Sequence, residues 1–241
     1  MTQDKRLLPL RALIIVAICF ILGAVAVGSQ GSRPPVLSNL HWPWSPRLQV
    51  PGIDFAHDED GDGIDDLSDI VLGARAEVER APRYRGAYYQ GGYPPIEEGV
   101  CTDLIWRALR DAGYDLKTLV DEDISRNVSV YPRVEGSPDP NIDFRRVQNL
   151  SVFFQRRADI LTIEIIPGDV ENLSQWQPGD IVVWDRPYAH IAIISNKRRP
   201  DGVPYILHNG GPVPRESDRL LTWPSELIWH FRFPRSTPGG P

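Results

Sequence analysis

Four short β-rich runs, set close together in the last third of the chain, limit the fold more than any other feature. Residues 181–185 follow Gly179-Asp180, residues 190–194 come after a short turn, and residues 205–208 and 227–231 repeat the pattern. Branched and aromatic runs bounded by turn residues read as strands, and short connections join antiparallel neighbours. Ahead of them the apolar spacing changes. Leu67, Ile70, Val71, Ala74 and Val78 recur at three and four residues, as do Leu104, Ile105, Ala108, Leu109 and Ala112. That spacing predicts two amphipathic helices, one ending near Ala81-Pro82 and one at Gly113. The fold class expected is α+β.

A chain of 241 residues, 41% hydrophobic and 24% charged, suits one sizeable domain plus extras. Lys5, Arg6 and Arg11 precede an uncharged apolar run from Ala12 to Val27. Residues 1–28 therefore read as a signal peptide or membrane anchor, with the rest of the chain outside the membrane. Residues 29–51, with Pro34-Pro35 and Trp42-Pro43-Trp44, read as a Pro-rich linker. Beyond the linker, residues 52–80 are read as a cation loop with the first helix, 81–235 as the main domain, and 236–241 as a tail. The net charge of −6, with no basic stripe, argues against nucleic acid as a partner.

The two cysteines are Cys19 and Cys101, and Cys19 falls in the apolar N-terminal run. That leaves Cys101 without a disulfide partner in an exported domain, either as a small buried apolar residue or as a reactive thiol. Its position favours chemistry, because unpaired N–H groups and the positive dipole end at a helix start stabilise a thiolate. A nucleophilic cysteine needs an imidazole to take its proton and a third group to orient that ring. His190 begins one strand and His208 ends the next, so an antiparallel pairing brings them close. His230 falls mid-strand, and His41 and His57 lie outside the expected core, so these three are read as structural.

Residues 58–69 hold seven acids in twelve positions. Asp58, Asp60 and Asp62 alternate, Gly63 follows at the sharp-turn position, and Asp69 falls at position twelve of a calcium loop. The spacing resembles the loops of EF-hands, dockerins and thrombospondin-type repeats. The expected cofactor is a structural Ca²⁺ held by Asp58, Asp60, Asp62, the Ile64 carbonyl, Asp66 and Asp69. Further along, Pro138 and Pro140 set a turn, and Asn141 or Asp143 is expected to cap the helix through Val147, Leu150 and Phe154. Arg145 and Arg146 are candidates for a substrate carboxylate. Asp180 is read as shaping the turn before its strand.

Tyr88-x-x-Gly91-Gly92, Cys101 at a helix start, a Gly179-Asp180 strand, His190-Ile-x-Ile and a strand ending in His208 together resemble the NlpC-type papain-like cell-wall peptidases. The resemblance implies Cys101 as nucleophile, His190 as general base, His208 as the third polar residue, and Tyr88 beside the developing oxyanion. A closer likeness, to the YijF-type family of uncharacterised bacterial proteins, rests on four segments. They are Gly-Val-Cys-Thr-Asp at 99–103, Pro-Asp-Pro-Asn-Ile-Asp at 138–143 with Arg145-Arg146, Gly-Asp-Ile-Val-Val-Trp at 179–184, and His208-Asn209. Asn209 is accordingly a further oxyanion or substrate candidate, and a second candidate to orient His190. Where NlpC types carry Asp-Cys-Ser-Gly, this chain carries Val-Cys-Thr-Asp.

The expectation is an exported papain-like α+β domain whose nucleophile-bearing helix packs on an antiparallel sheet. It would act as a cysteine peptidase or amidase on cell-wall peptide amides, the substrate being implied by the resemblance. The alternatives are a non-catalytic, calcium-stabilised peptide-binding module of the same fold, and a zinc site formed by Cys101, His190 and His208.

Overall fold

The computed structural model describes residues 47–235. The calls for an anchor at 1–28 and a tail at 236–241, together with Cys19 and His41, lie outside the described residues, as does the linker up to residue 46. Among the described residues no helix is long and apolar enough to cross a membrane.

Helix α1, Asp66–Arg80, starts where the Asp65 carboxylate accepts the Ser68 N–H. It ends at Ala81 in the left-handed conformation, just before Pro82. A two-stranded parallel ladder pairs β1 (Arg83–Tyr84) with β2 (Glu98–Gly99). Helix α2, Cys101–Asp111, follows directly, and every residue from Cys101 to Leu109 is buried. Each Leu or Ile withdrawn from water in this way contributes about 1.5–3 kcal/mol. The two helices cross at Gly73, where a Cβ would stand 2.9 Å from the Ala108 Cα, so only glycine permits the approach.

Helix α3, Leu116–Asn127, lies beyond the two helices expected; Leu116, Leu119, Val120 and Ile124 recur at three and four residues, but Leu119 is exposed and the buried apolar face is short. The proline turn is present. Its continuation differs from the expectation, because Arg146 and not Asn141 or Asp143 is the N-cap of α4, Val147–Arg157. The Asp143 carboxylate is occupied by the Asp139 N–H and Arg146.

Strands β3 (Asp159–Ile160), β4 (Ile181–Trp184), β5 (His190–Arg198), β6 (Pro204–His208), β7 (Arg215–Ser217) and β8 (Leu227–Arg232) form one sheet in the order β3-β8-β4-β5-β6-β7. A short helix α5, Val170–Leu173, precedes β4. All the pairings in this sheet are antiparallel. Alternation along the strands divides the core in two. Ile181, Val183, Ile191, Ile193, Leu207 and Phe231 pack with α1, α2 and α4. Val182, Trp184, Ala192, Ile194 and Ile206 pack with Leu173, Trp176, Val203 and Leu220 on the other face. Leu48 and Val50, at the end of the stretch read as linker, lie against this second layer.

Asp180 does more than shape a turn. It accepts from Arg232, His230 and the Gln177 N–H, with its side chain fully buried. His230 is structural, as read, and stacks on Trp176 with ring centroids 3.9 Å apart.

Candidate functional site

Cys101 is the first residue of α2 and is free and buried. Backbone N–H groups of Ile191, Thr102 and Cys101 itself favour the thiolate, while Asp103 opposes it. Burial outweighs them and pushes the thiol up to about 11. The resting cysteine is therefore protonated at neutral pH.

His190 precedes Ile191, so its backbone lies one peptide from the sulfur. Its Nε2 is 3.1 Å from Nδ1 of His208, whose Nε2 is 2.9 Å from the Ser217 hydroxyl. Trp223 stacks on His190 at 4.0 Å and stands edge-on to His208. Both rings are buried. Burial and the neighbouring His208 lower His190 to about 3, and burial with Arg215 and Arg219 lowers His208 to about 4. Neutral rings admit two proton arrangements along this chain. In one of them His190 Nε2–H donates to His208, His208 Nε2–H donates to Ser217, and Nδ1 of His190 keeps its lone pair. Among the described residues no hydrogen bond links Cys101 to either ring.

The floor of the site is polar. Asp103 accepts the Val100 N–H at 2.8 Å and the Trp106 indole N–H at 2.9 Å, and Arg145 clasps both its oxygens at 2.7 and 2.8 Å. Arg145 also donates to the Ala87 carbonyl. It is thus spent inside the protein, which corrects its reading as a substrate ligand. Arg146 is engaged with Asp143 and the Arg133 carbonyl, yet it lines a cleft of about 500 Å³ with Tyr88, Val100, Asp139, Ile142 and Arg145. That cleft opens beside the residue preceding Cys101. A larger hollow of about 580 Å³ lies between Tyr93, Trp106, Arg110 and Lys117, and neither hollow has a cysteine or histidine in its wall.

Tyr88 has no hydrogen bond to Cys101 among the described residues. Its hydroxyl is bonded to Asp139 and Asn141 and the residue is exposed. Tyr84, itself half exposed, is raised by burial, then by the charges of Cys101 and Asp103. Its backbone N–H is tied to Pro212, and Asn209 donates to the Gly99 carbonyl, so the turn after β6 is stitched to the entry of α2. Asn209 therefore fixes that junction and has no bond to His190. Tyr84, Ser217 and Trp223 escaped the sequence reading because each comes from a short or irregular segment whose neighbours are remote in the chain.

Cys101, His190 and His208 do not converge as three metal ligands, which corrects the zinc alternative. Among the described residues the one group whose ligand atoms all fall within 4.8 Å is Asp58, Asp60 and Asp62. Asp66, expected with them, is turned inward to the Glu59 N–H and the Tyr114 hydroxyl.

Fold and site together define an α+β protein in which a helix-start cysteine packs with the strand that opens on one member of a bonded histidine pair. The chain belongs to the family described as a domain of unknown function, DUF1287, whose model matches residues 71–233. It is similar to the uncharacterized protein YijF of Escherichia coli (strain K12), 38% identical over 172 residues, which is 68% of this chain and 80% of that protein. No solved structure matches it.

Proposed function

We propose that this protein is a cysteine hydrolase of the NlpC-type papain-like kind, acting by thiol acyl transfer on peptide amides. The observation that carries the reading is the junction of α2 with β5. Cys101 packs in one core with Ile191, and the adjacent His190 is bonded through Nε2 to His208; the tautomer that donates from Nε2 leaves Nδ1 as the available base.

As Sγ attacks an amide carbonyl, Nδ1 of His190 takes the thiol proton, and the Cys101 N–H faces the developing oxyanion. Collapse breaks the C–N bond, His190 returns the proton to the leaving amine, and water attacking the thioester releases the acid and regenerates the thiol. The bond from Cys101 to His190 forms when substrate arrives; catalytic hydrogen bonds are often long in the free enzyme and tighten in the complex. Export, read from residues 1–28, and the resemblance point to peptidoglycan peptides as substrate.

The test is digestion of purified wall fragments by the full chain and by Cys101→Ala, read by mass spectrometry. New amine and carboxyl ends are expected with the wild type alone. Identical products from both would remove the catalytic reading.

A second reading, a peptide-binding module that retains the fold, is favoured by the neutral, buried state of both Cys101 and His190 at pH 7. It expects wall peptides to bind both chains equally and to remain uncut.

A further inference from the structure

We propose that the loop leading into α1 is a Ca²⁺ site, formed by the carboxylates of Asp58, Asp60, Asp62 and Asp69 with the main-chain carbonyl of Ile64. It stands apart from the hydrolase reading and does not depend on it.

Three exposed carboxylates near one another are common on protein surfaces and carry no ligand by themselves. What distinguishes this group is Asp69, in the first turn of α1. It is only 6% exposed, and its Oδ2 has no hydrogen-bond partner among the described residues. Burial, followed by the facing charges of Asp62, Asp60 and Asp58, raises its carboxyl to about 6, so it stands in the field of those same three groups. A buried carboxylate oxygen with no donor, in the helix turn that directly follows three more carboxylates, is a costly arrangement that a cation relieves.

The donor chemistry selects the ion. All five ligands are hard oxygens, and the Ile64 carbonyl accepts no hydrogen bond among the described residues. Ca²⁺ takes six to eight oxygens in a tolerant geometry, so water completes the shell; Mg²⁺ demands a near-ideal octahedron and keeps more of its own water. Gly63, at φ +94°, makes the turn that such a loop requires at its sixth position.

The consequence reaches the rest of the fold. The loop packs on the end of α2, where a Cβ at Gly113 would meet both the backbone N and Cβ of Asp60 at 3.1 Å. A bound ion thus ties the loop and the start of α1 to the helix that begins with Cys101.

The experiment uses the full chain, stripped with EDTA and melted while Ca²⁺ or Mg²⁺ is added, with calorimetric titration alongside. Ca²⁺ is expected to raise the Tm by several degrees, and Mg²⁺ by less. Asp60→Asn with Asp62→Asn is expected to abolish the shift. Asp69→Asn separates the site from a merely buried acid. It is expected to raise the Tm in EDTA, by removing an uncompensated charge, and to weaken Ca²⁺ binding by about tenfold or more. No Ca²⁺-induced shift in the wild type, undiminished Ca²⁺ binding by Asp69→Asn, or stronger stabilisation by Mg²⁺ than by Ca²⁺ would each overturn the proposal.

Discussion

Arg145 holds both carboxylate oxygens of Asp103 two residues past Cys101, in a pair whose side chains are 2% and 1% exposed. The pair joins α2 to the turn before α4, and through Val100 and Trp106 it fixes the helix end that carries the thiol.

Removing one partner leaves the other charge buried and alone. Asp103→Ala is expected to cost about 3–5 kcal/mol, and Arg145→Met a similar amount. The double variant Asp103→Leu/Arg145→Met is expected to recover much of the loss. Urea denaturation reads this directly, and a single-variant cost under about 1 kcal/mol would contradict a tightly coupled buried pair.

Gly73→Ala has two opposed effects. In a free helix the change gains up to about 1 kcal/mol. Here the new methyl meets the Ala108 Cα at 2.9 Å and the Ala108 carbonyl at 3.1 Å, both backbone, so α1 and α2 must separate. The net result is expected to be destabilising by about 1–3 kcal/mol. A stabilised variant in the same denaturation experiment would mean that the crossing is looser than described.

The buried thiol sets a pH profile. With Cys101 pushed up to about 11, iodoacetamide alkylation is expected to be slow at pH 7 and to climb about tenfold per pH unit through pH 9. A rate already at its plateau near pH 6 would instead reveal a standing thiolate.

The histidine pair makes the fold acid-sensitive. Both folded values, about 3 for His190 and about 4 for His208, lie below the ordinary 6.5, so between these limits the unfolded chain binds more protons. Stability is then full above pH 6.5 and declines as pH falls toward 4 and 3. His190→Gln with His208→Gln is expected to flatten the Tm against pH over that interval. An unchanged slope would place the acid sensitivity elsewhere.

Local pattern carried most of the architecture. The three-and-four spacing located α1 and α2, Pro82 and Gly113 marked their ends, and the β-rich runs located β4, β5, β6 and β8 with their antiparallel pairing. Cys101 at a helix start and two histidines at adjacent strand ends were legible because helix starts and hairpin register are short-range properties. Which groups touch was decided by tertiary structure. The burial that raises Cys101 and lowers His190, the stacking of Trp223, and the capture of Arg145 by Asp103 all join segments remote in sequence. Desolvation and long-range ion pairing depend on the full packing around a group, and residue spacing along the chain does not encode that packing. The acidic loop divides in the same way. Its spacing alone singled out Asp58, Asp60, Asp62, Asp66 and Asp69 with the Ile64 carbonyl, while only the fold turned Asp66 inward to Tyr114 and left the Asp69 Oδ2 without a partner among the described residues.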